Sequence, residues 1–302
     1  MPAGEQTRAR YPDQTGHVER DGVRTYYEVY GHDGPTIVVL PAWTIFHSRM
    51  WKGQIPYLSR HFRVVTFDGR GGGRSDRPGS PADYSTEQIA LDALAVMDAT
   101  GTDRAGILCS SRGAQWALWL ATERADRVLC AVFIDAFFPV GLRSLRLRAY
   151  LSPALRWLRR PRLPAYPGWL RFNGHYMTSD YAGFLRWFAG QIASDPHSTK
   201  IQEDLFRWAA ETTGSVAFAS ATAPAFRTRR ELLARARAVS CPVLAIHGTG
   251  DRRTPYADGR ALARATGGAL MPLHGAGHVP YARYPAAVNI ALRQFFDAAL
   301  RG

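Results

Sequence analysis

The stretch Ala105-Gly106-Ile107-Leu108-Cys109-Ser110-Ser111-Arg112-Gly113 (AGILCSSRG, residues 105–113) decides the reading of this chain. Ala105 to Cys109 is a short apolar run of the kind a buried strand makes, and Gly113 to Glu123 (GAQWALWLATE) reads as a helix. A nucleophile seated between strand and helix needs small neighbours two residues before and two after it, because the turn is so tight. Centred on Ser111, Cys109 and Gly113 fill those positions; centred on Ser110, Leu108 and Arg112 would fill them, a worse fit. The start of a helix favours developing negative charge through its unsatisfied N–H groups and dipole. Ser111 is therefore a candidate nucleophile, its alternative being an ordinary helix N-cap serine.

Working outward, the same alternation continues on both sides. Tyr26 to Tyr30 follows a turn at Asp21-Gly22, Thr36 to Leu40 (TIVVL) is an apolar run closed by Pro41, and Phe62 to Phe67 (FRVVTF) runs into Asp68 and the glycine-rich GRGGGRS (69–75). Ser85 to Thr100 has helical periodicity, and Val128 to Ile134 (VLCAVFI) is a further strand. Beyond residue 238 come Val243 to His247 (VLAIH), a helix near Asp258 to Ala265, the strand Ala269 to Leu273 and a helix near Ala286 to Leu300. Strands alternating with helices predict a mostly parallel sheet with helices on both faces. Residues 139–238 break the pattern. They lack apolar strand runs and carry Leu, Trp, Ala and Arg at helical spacing, as a helical insertion would. The expected organisation is a core of 1–138 and 239–302 with a helical cap at 139–238.

Composition bounds the function. The chain has 302 residues, 46% apolar, 12% aromatic and 21% charged, enough for a large core. The three cysteines, Cys109, Cys130 and Cys241, are odd in number, widely spaced and in or beside apolar runs, which fits buried thiols better than a disulfide frame or a zinc site. No run of about 18 apolar residues exists and the first residues lack a signal-like apolar region, so the expectation is a cytoplasmic chain without a transmembrane segment. The net charge is +13, from 38 basic and 25 acidic residues. Between Asp135 and Asp180 there is no acid but eight arginines, at 143, 146, 148, 156, 159, 160, 162 and 171. No helix-turn-helix, zinc-finger or RNP motif accompanies them, so nucleic acid is not expected. An anionic substrate, an acidic carrier protein, a membrane surface or a solvated helical face are the readings left open. GRGGGRS lacks the spacing of a dinucleotide site, and neither metal nor cofactor is expected.

Catalytic groups in open parallel sheets gather at the carboxyl ends of strands. After VLAIH comes Gly248-Thr249-Gly250-Asp251, and after ALMPL comes His274-Gly275-Ala276-Gly277-His278. Asp251 could orient an imidazolium or cap the following helix; His278 could accept the serine proton or be a loop histidine. The conjunction favours chemistry: Ser, Asp and His in that order, each after a strand and in a glycine-rich turn.

On these residues the chain resembles the α/β-hydrolase superfamily over nearly its full length, through IVVLPAW, the tryptophan of MWKGQIPYL, VVTFDGRGGGRSDRP, ILCSSRGAQWALWLA, PVLAIHGTGDRRTP and HGAGHVPYARYP. The resemblance implies an eight-stranded sheet and a helical cap after strand six. It carries the nucleophile role onto Ser111, the acid onto Asp251 and the base onto His278, with Asp135 second for the acid. It places the oxyanion hole at the backbone N–H groups of Trp43 and Arg112. The sequence departs from the family with Cys109 in place of the usual glycine, Pro41-Ala42 in place of His-Gly, and an arginine at 112. Trp43, His47, Arg112, Phe137 and Trp187 are candidate substrate-pocket residues. The expected function is a serine hydrolase cleaving an ester or thioester of a small apolar or aromatic, anionic or carrier-bound substrate. Acyl transfer, C–C cleavage or cyclisation on the same fold, and a silent ligand-binding module, are the alternatives.

Overall fold

The computed structural model describes residues 9–140, 166–226 and 228–301. Its centre is one eight-stranded sheet: β1 (Gln14–Arg20), β2 (Val23–Tyr30), β3 (Thr36–Val39), β4 (Arg63–Phe67), β5 (Ala105–Ser110), β6 (Val128–Ile134), β7 (Val243–Gly248) and β8 (Ala269–Leu273). The spatial order is β1-β2-β4-β3-β5-β6-β7-β8. β2 runs antiparallel to both β1 and β4, and every other neighbouring pair is parallel. The strands expected from apolar runs form where the runs stand, because a strand covered on both faces must be apolar on both. β1 was not expected. None of its seven residues is buried, so no hydrophobic pattern marks it. It is held by a two-residue turn at Asp21-Gly22, both at positive φ, which suits the twist of a hairpin.

Helices α1 (Thr86–Ala99) and α2 (Gly113–Glu123) lie on one face of the sheet. Between β6 and β7 the described residues form α3 (Gly174–Ser179), α4 (Tyr181–Ile192), α5 (Thr199–Ala209), α6 (Gly214–Thr222) and α7 (Arg229–Ala238). They are followed by α8 (Tyr256–Thr266) and, after β8, α9 (Pro285–Arg301). Two cores result. One joins α4, α5 and α9 to the sheet through Phe184, Phe188, Leu205, Val288 and Phe296; the other buries α1, α2, α7 and α8 through Ile89, Trp116, Leu232 and Leu262.

Among the described residues of the stretch read as one insertion, the helices contribute to both cores. Residues 141–165 and 227 lie outside the described residues. α7, inside the expected boundary at 238, packs with the sheet's own helices, and Arg235 Nη1 reaches the Thr122 hydroxyl at the end of α2 (3.0 Å). Its short Ala-rich and Arg-rich sequence, RRELLARARA, reads the same whichever surface it covers.

β3 stands between β4 and β5. The chain passes from β3 to β4 on one side and from β4 back across to β5 on the other, so the strand order reverses here and a crevice opens beyond the carboxyl ends of β3 and β5. The loop 41–51 leaves one end and Ser111 the other.

Candidate active site

Ser111 sits at φ +52°, a conformation side chains other than glycine seldom adopt. Backbone bonds on both sides hold it there: its N–H donates to Ile134 O (3.0 Å) and its carbonyl accepts from Phe137 N–H (2.8 Å). The tightness asked of the neighbouring positions is real. A Cβ on Gly113 would stand 2.6 Å from Pro41 O and 3.3 Å from Cys109 Cβ. Cysteine is accommodated at 109 because its side chain turns into the core, fully buried, with Sγ 3.4 Å from Val132 O.

His278 Nε2 lies 2.9 Å from Ser111 Oγ, and His278 Nδ1 lies 2.7 Å from Asp251 Oδ2. With Nδ1–H donating to the carboxylate, the lone pair on Nε2 faces the serine. Asp251 accepts further bonds from Arg253 N–H (2.7 Å), Thr254 N–H (2.9 Å) and the Thr254 hydroxyl (2.6 Å). It thus caps the turn that follows as well as meeting the imidazole. Burial alone would raise its pKa; the charge and hydrogen bond of His278, the Thr254 hydroxyl and His247 outweigh that and hold it low. His274, four residues before His278, is exposed.

Asp135, at the end of β6, is also buried and at positive φ (+44°), but among the described residues it makes no hydrogen bond to the imidazole, which bonds Asp251 instead. Its Oδ1 accepts from Gly248 N–H (2.8 Å), while Oδ2 has no partner among the described residues. Burial and the neighbouring Asp251 push its pKa well up, the opposite direction from Asp251. Asp135, Asp251 and His278 bring possible ligand atoms within 4.8 Å of one another. Those of Asp251 and His278 are already committed to the bonds just described.

A cavity adjoins Ser111 and His278. Its walls include Trp43, Phe46, Phe137, Phe172, Phe188 and Tyr281, and Arg112 and Arg253 are among its lining residues. Trp43, Arg112 and Phe137 therefore stand where the sequence suggested. His47 and Trp187 do not. His47 is fully buried beside Glu211 (Nε2 to Oε2 3.4 Å) and edge-on to Trp208, where it ties the loop after β3 to the end of α5. Trp187 packs edge-on against Trp169 at 5.2 Å and against Phe184, within the layer of α4. Aromatic and histidine content marked both, but neither side chain lines the cavity.

GRGGGRS is a packing device. A Cβ on Gly72 would meet Thr44 O at 2.2 Å, and Asp68 at its head accepts from Ser48 N–H and Arg74 N–H, both at 2.9 Å. Of the eight arginines between Asp135 and Asp180, seven lie outside the described residues; Arg171 donates Nε to Tyr166 O (3.0 Å). Sequence reading passed over Arg253 and Thr254. Both stand in the quoted GTGDRRTP, but their spacing carries no sign that one side chain turns to the cavity and the other to Asp251.

The sheet order, the turn at Ser111 and the positions of Asp251 and His278 after β7 and β8 define an α/β-hydrolase architecture. The family model for the α/β hydrolase fold matches residues 35–282, and the chain belongs to that family. At the family level it is a hydrolase. It is 28% identical over 248 residues to 3-oxoadipate enol-lactonase 2 of Acinetobacter baylyi, covering 80% of this chain and 82% of the relative. It is 27% identical over 282 residues to a non-heme chloroperoxidase of Streptomyces lividans, covering 91% and 96%. The crystal structure of the enol-lactonase from Burkholderia xenovorans LB400 superimposes with a TM-score of 0.74 at 23% identity, covering 93% of this chain and 99% of that one. No helix among the described residues is long and apolar enough to cross a membrane.

Proposed function

We propose that the protein is a serine hydrolase that cleaves a small ester or lactone through an acyl-enzyme. The supporting observation is the unbroken chain of contacts from Asp251 Oδ2 to His278 Nδ1 (2.7 Å) and from His278 Nε2 to Ser111 Oγ (2.9 Å). In this reading Ser111 Oγ adds to the substrate carbonyl while its proton passes to His278 Nε2. Asp251, kept ionised, stabilises the imidazolium. The oxyanion rests on the backbone N–H groups of Arg112, at the N-terminus of α2, and Trp43, in the loop after β3. The C–O bond then breaks, and the leaving oxygen takes the proton from His278. Water attacks the acyl-enzyme, yields its proton to His278, and the acid departs as that proton returns to Ser111. The enol-lactonase likeness favours a lactone or ester over a thioester, and nothing in the site argues for an acidic carrier protein. Phe172, just before α3, and Phe188 of α4 line the cavity, and the helices α3 to α6, set apart from α7, act as the cap.

A fluorophosphonate probe tests this reading. Labelling should fall on Ser111 and vanish in Ser111→Ala, and Asp251→Asn should lower kcat by about 10³- to 10⁴-fold with binding kept. An unlabelled wild-type protein would leave the ligand-binding module as the better description. Labelling followed by transfer to an added alcohol in preference to water would make it an acyltransferase.

A further inference from the structure

The molecule shows how it treats a guanidinium that serves only structure. Arg70, 2% exposed, grips Asp92 through Nε and Nη2, each at 2.6 Å, and donates Nη1 to Asp83 O. Arg63 gives its two terminal nitrogens to the Thr102 hydroxyl and the Thr100 carbonyl.

Arg112 and Arg253 break this habit. Both line the cavity beside Ser111 and His278, and among the described residues neither side chain makes a salt bridge or a hydrogen bond. Arg253 Nη1 is buried without a partner. Its guanidinium lies over the rings of Phe137 (5.4 Å), Trp169 (5.5 Å) and Phe172 (6.0 Å). Ring faces hold a cation in place without neutralising it. The nearby acid, Asp251, favours the charge of Arg253, but its oxygens already serve His278, Thr254 and the Arg253 backbone. Burial lowers both guanidinium pKa values to about 10, and Arg112 is further lowered by repulsion from Arg253. Both therefore stay charged at neutral pH. Two like charges gathered in an apolar cavity without a counter-ion are costly, and an anion between them would relieve both repulsion and desolvation.

We infer that Arg112 and Arg253 form an anion subsite beside Ser111, and that the substrate is an ester or lactone bearing a free carboxylate. This deepens the acyl-transfer reading and rests on it for the reaction, though not for the binding. A planar carboxylate matches the guanidinium fork and suits a slot walled by aromatic rings. A tetrahedral phosphonate shares the charge and is separated in the test.

Calorimetric titration of the full-length Ser111→Ala protein with glutarate, glutaramide and methylphosphonate reads the subsite without catalysis. Glutarate should bind at least about tenfold more tightly than its neutral diamide, the loss expected for one charge-assisted hydrogen bond. It should also bind more tightly than methylphosphonate, and its binding should weaken about tenfold on adding Arg253→Met. In turnover, wild-type kcat/KM should be higher for p-nitrophenyl hemiglutarate than for p-nitrophenyl pentanoate, and that ratio should fall in Arg253→Met. Equal binding of glutarate and glutaramide, a preference for methylphosphonate, or a turnover ratio at or below one overturns the carboxylate subsite. The glutarate and glutaramide comparison needs no arginine variant, so it stands even where Arg253→Met fails to fold. Failed fluorophosphonate labelling with the glutarate preference intact strikes only the nucleophile role; labelling without that preference strikes only the subsite.

Discussion

At the scale of single residues, two buried aspartates 116 positions apart, Asp135 and Asp251, have their pKa values pushed in opposite directions. Asp251 is surrounded by donors and is held ionised; Asp135 has one backbone donor and an oxygen without a partner among the described residues. The raised pKa of Asp135 has a definite sign for stability. Unfolded, this carboxyl loses its proton near pH 4; folded, it keeps it to much higher pH. Its contribution is thus full below about pH 4 and declines as pH rises towards the folded pKa. Asp135→Asn keeps the acceptor for Gly248 N–H and tolerates the positive φ, but cannot titrate. The melting temperature of Asp135→Asn minus that of the wild type should therefore grow between pH 5 and pH 9. A difference that stays flat over that range would show Asp135 to be ionised in the folded state. Asp135 follows a strand, as the sequence indicates, yet nothing local reports its raised pKa, which comes from burial and from Asp251 in the loop after β7.

At the scale of elements, the glycine-rich turn after β4 is anchored to α1 through one buried ion pair. Asp92 of α1 receives two bonds from Arg70 and two from Arg20, at 3.0 and 2.8 Å, which also ties β1 to the same helix. Removing the carboxylate leaves Arg70 buried and unpaired. Asp92→Ala should cost about 3–5 kcal/mol in urea unfolding, because the stranded charge is worse than the absent pair. A loss under about 1 kcal/mol would mean that water reaches Arg70 and that the pair holds nothing. This anchor explains why β1 exists without an apolar pattern. It is an edge strand fixed by a hairpin turn and by Arg20, neither of which hydrophobic periodicity can report.

At the scale of the whole molecule, the described helices between β6 and β7 meet the loops after β3 and β4 through polar ties as well as packing. Trp43, a wall of the cavity, donates its indole N–H to Ser220 Oγ of α6 at 2.9 Å, and the Thr212 hydroxyl donates to Gly71 O. Arg49 and His47 meet Glu211 between the same two parts. Ser220→Ala leaves the buried indole N–H unpaired, at a cost of about 1–3 kcal/mol. Because Trp43 also carries one proposed oxyanion donor, its kcat should fall with the stability, by several-fold, while glutarate binding to the arginine pair is retained. Unchanged kcat would show that the indole position does not govern the loop backbone.

The sequence by itself determined the architecture and the places after β5, β7 and β8 from which Ser111, Asp251 and His278 come within hydrogen-bond distance. Strand runs, the tight small-residue turn around Ser111, and an aspartate and a histidine in glycine-rich turns after later strands are local patterns legible in the residue types themselves. Only tertiary structure decided which distant side chains share a space. It brought Arg253 near Arg112, turned His47 and Trp187 into packing, and packed α7 with α1, α2 and α8. The physical reason is that periodicity along a chain reports whether a residue is buried, whereas meeting across the sheet depends on strand order and helix packing that no local pattern encodes.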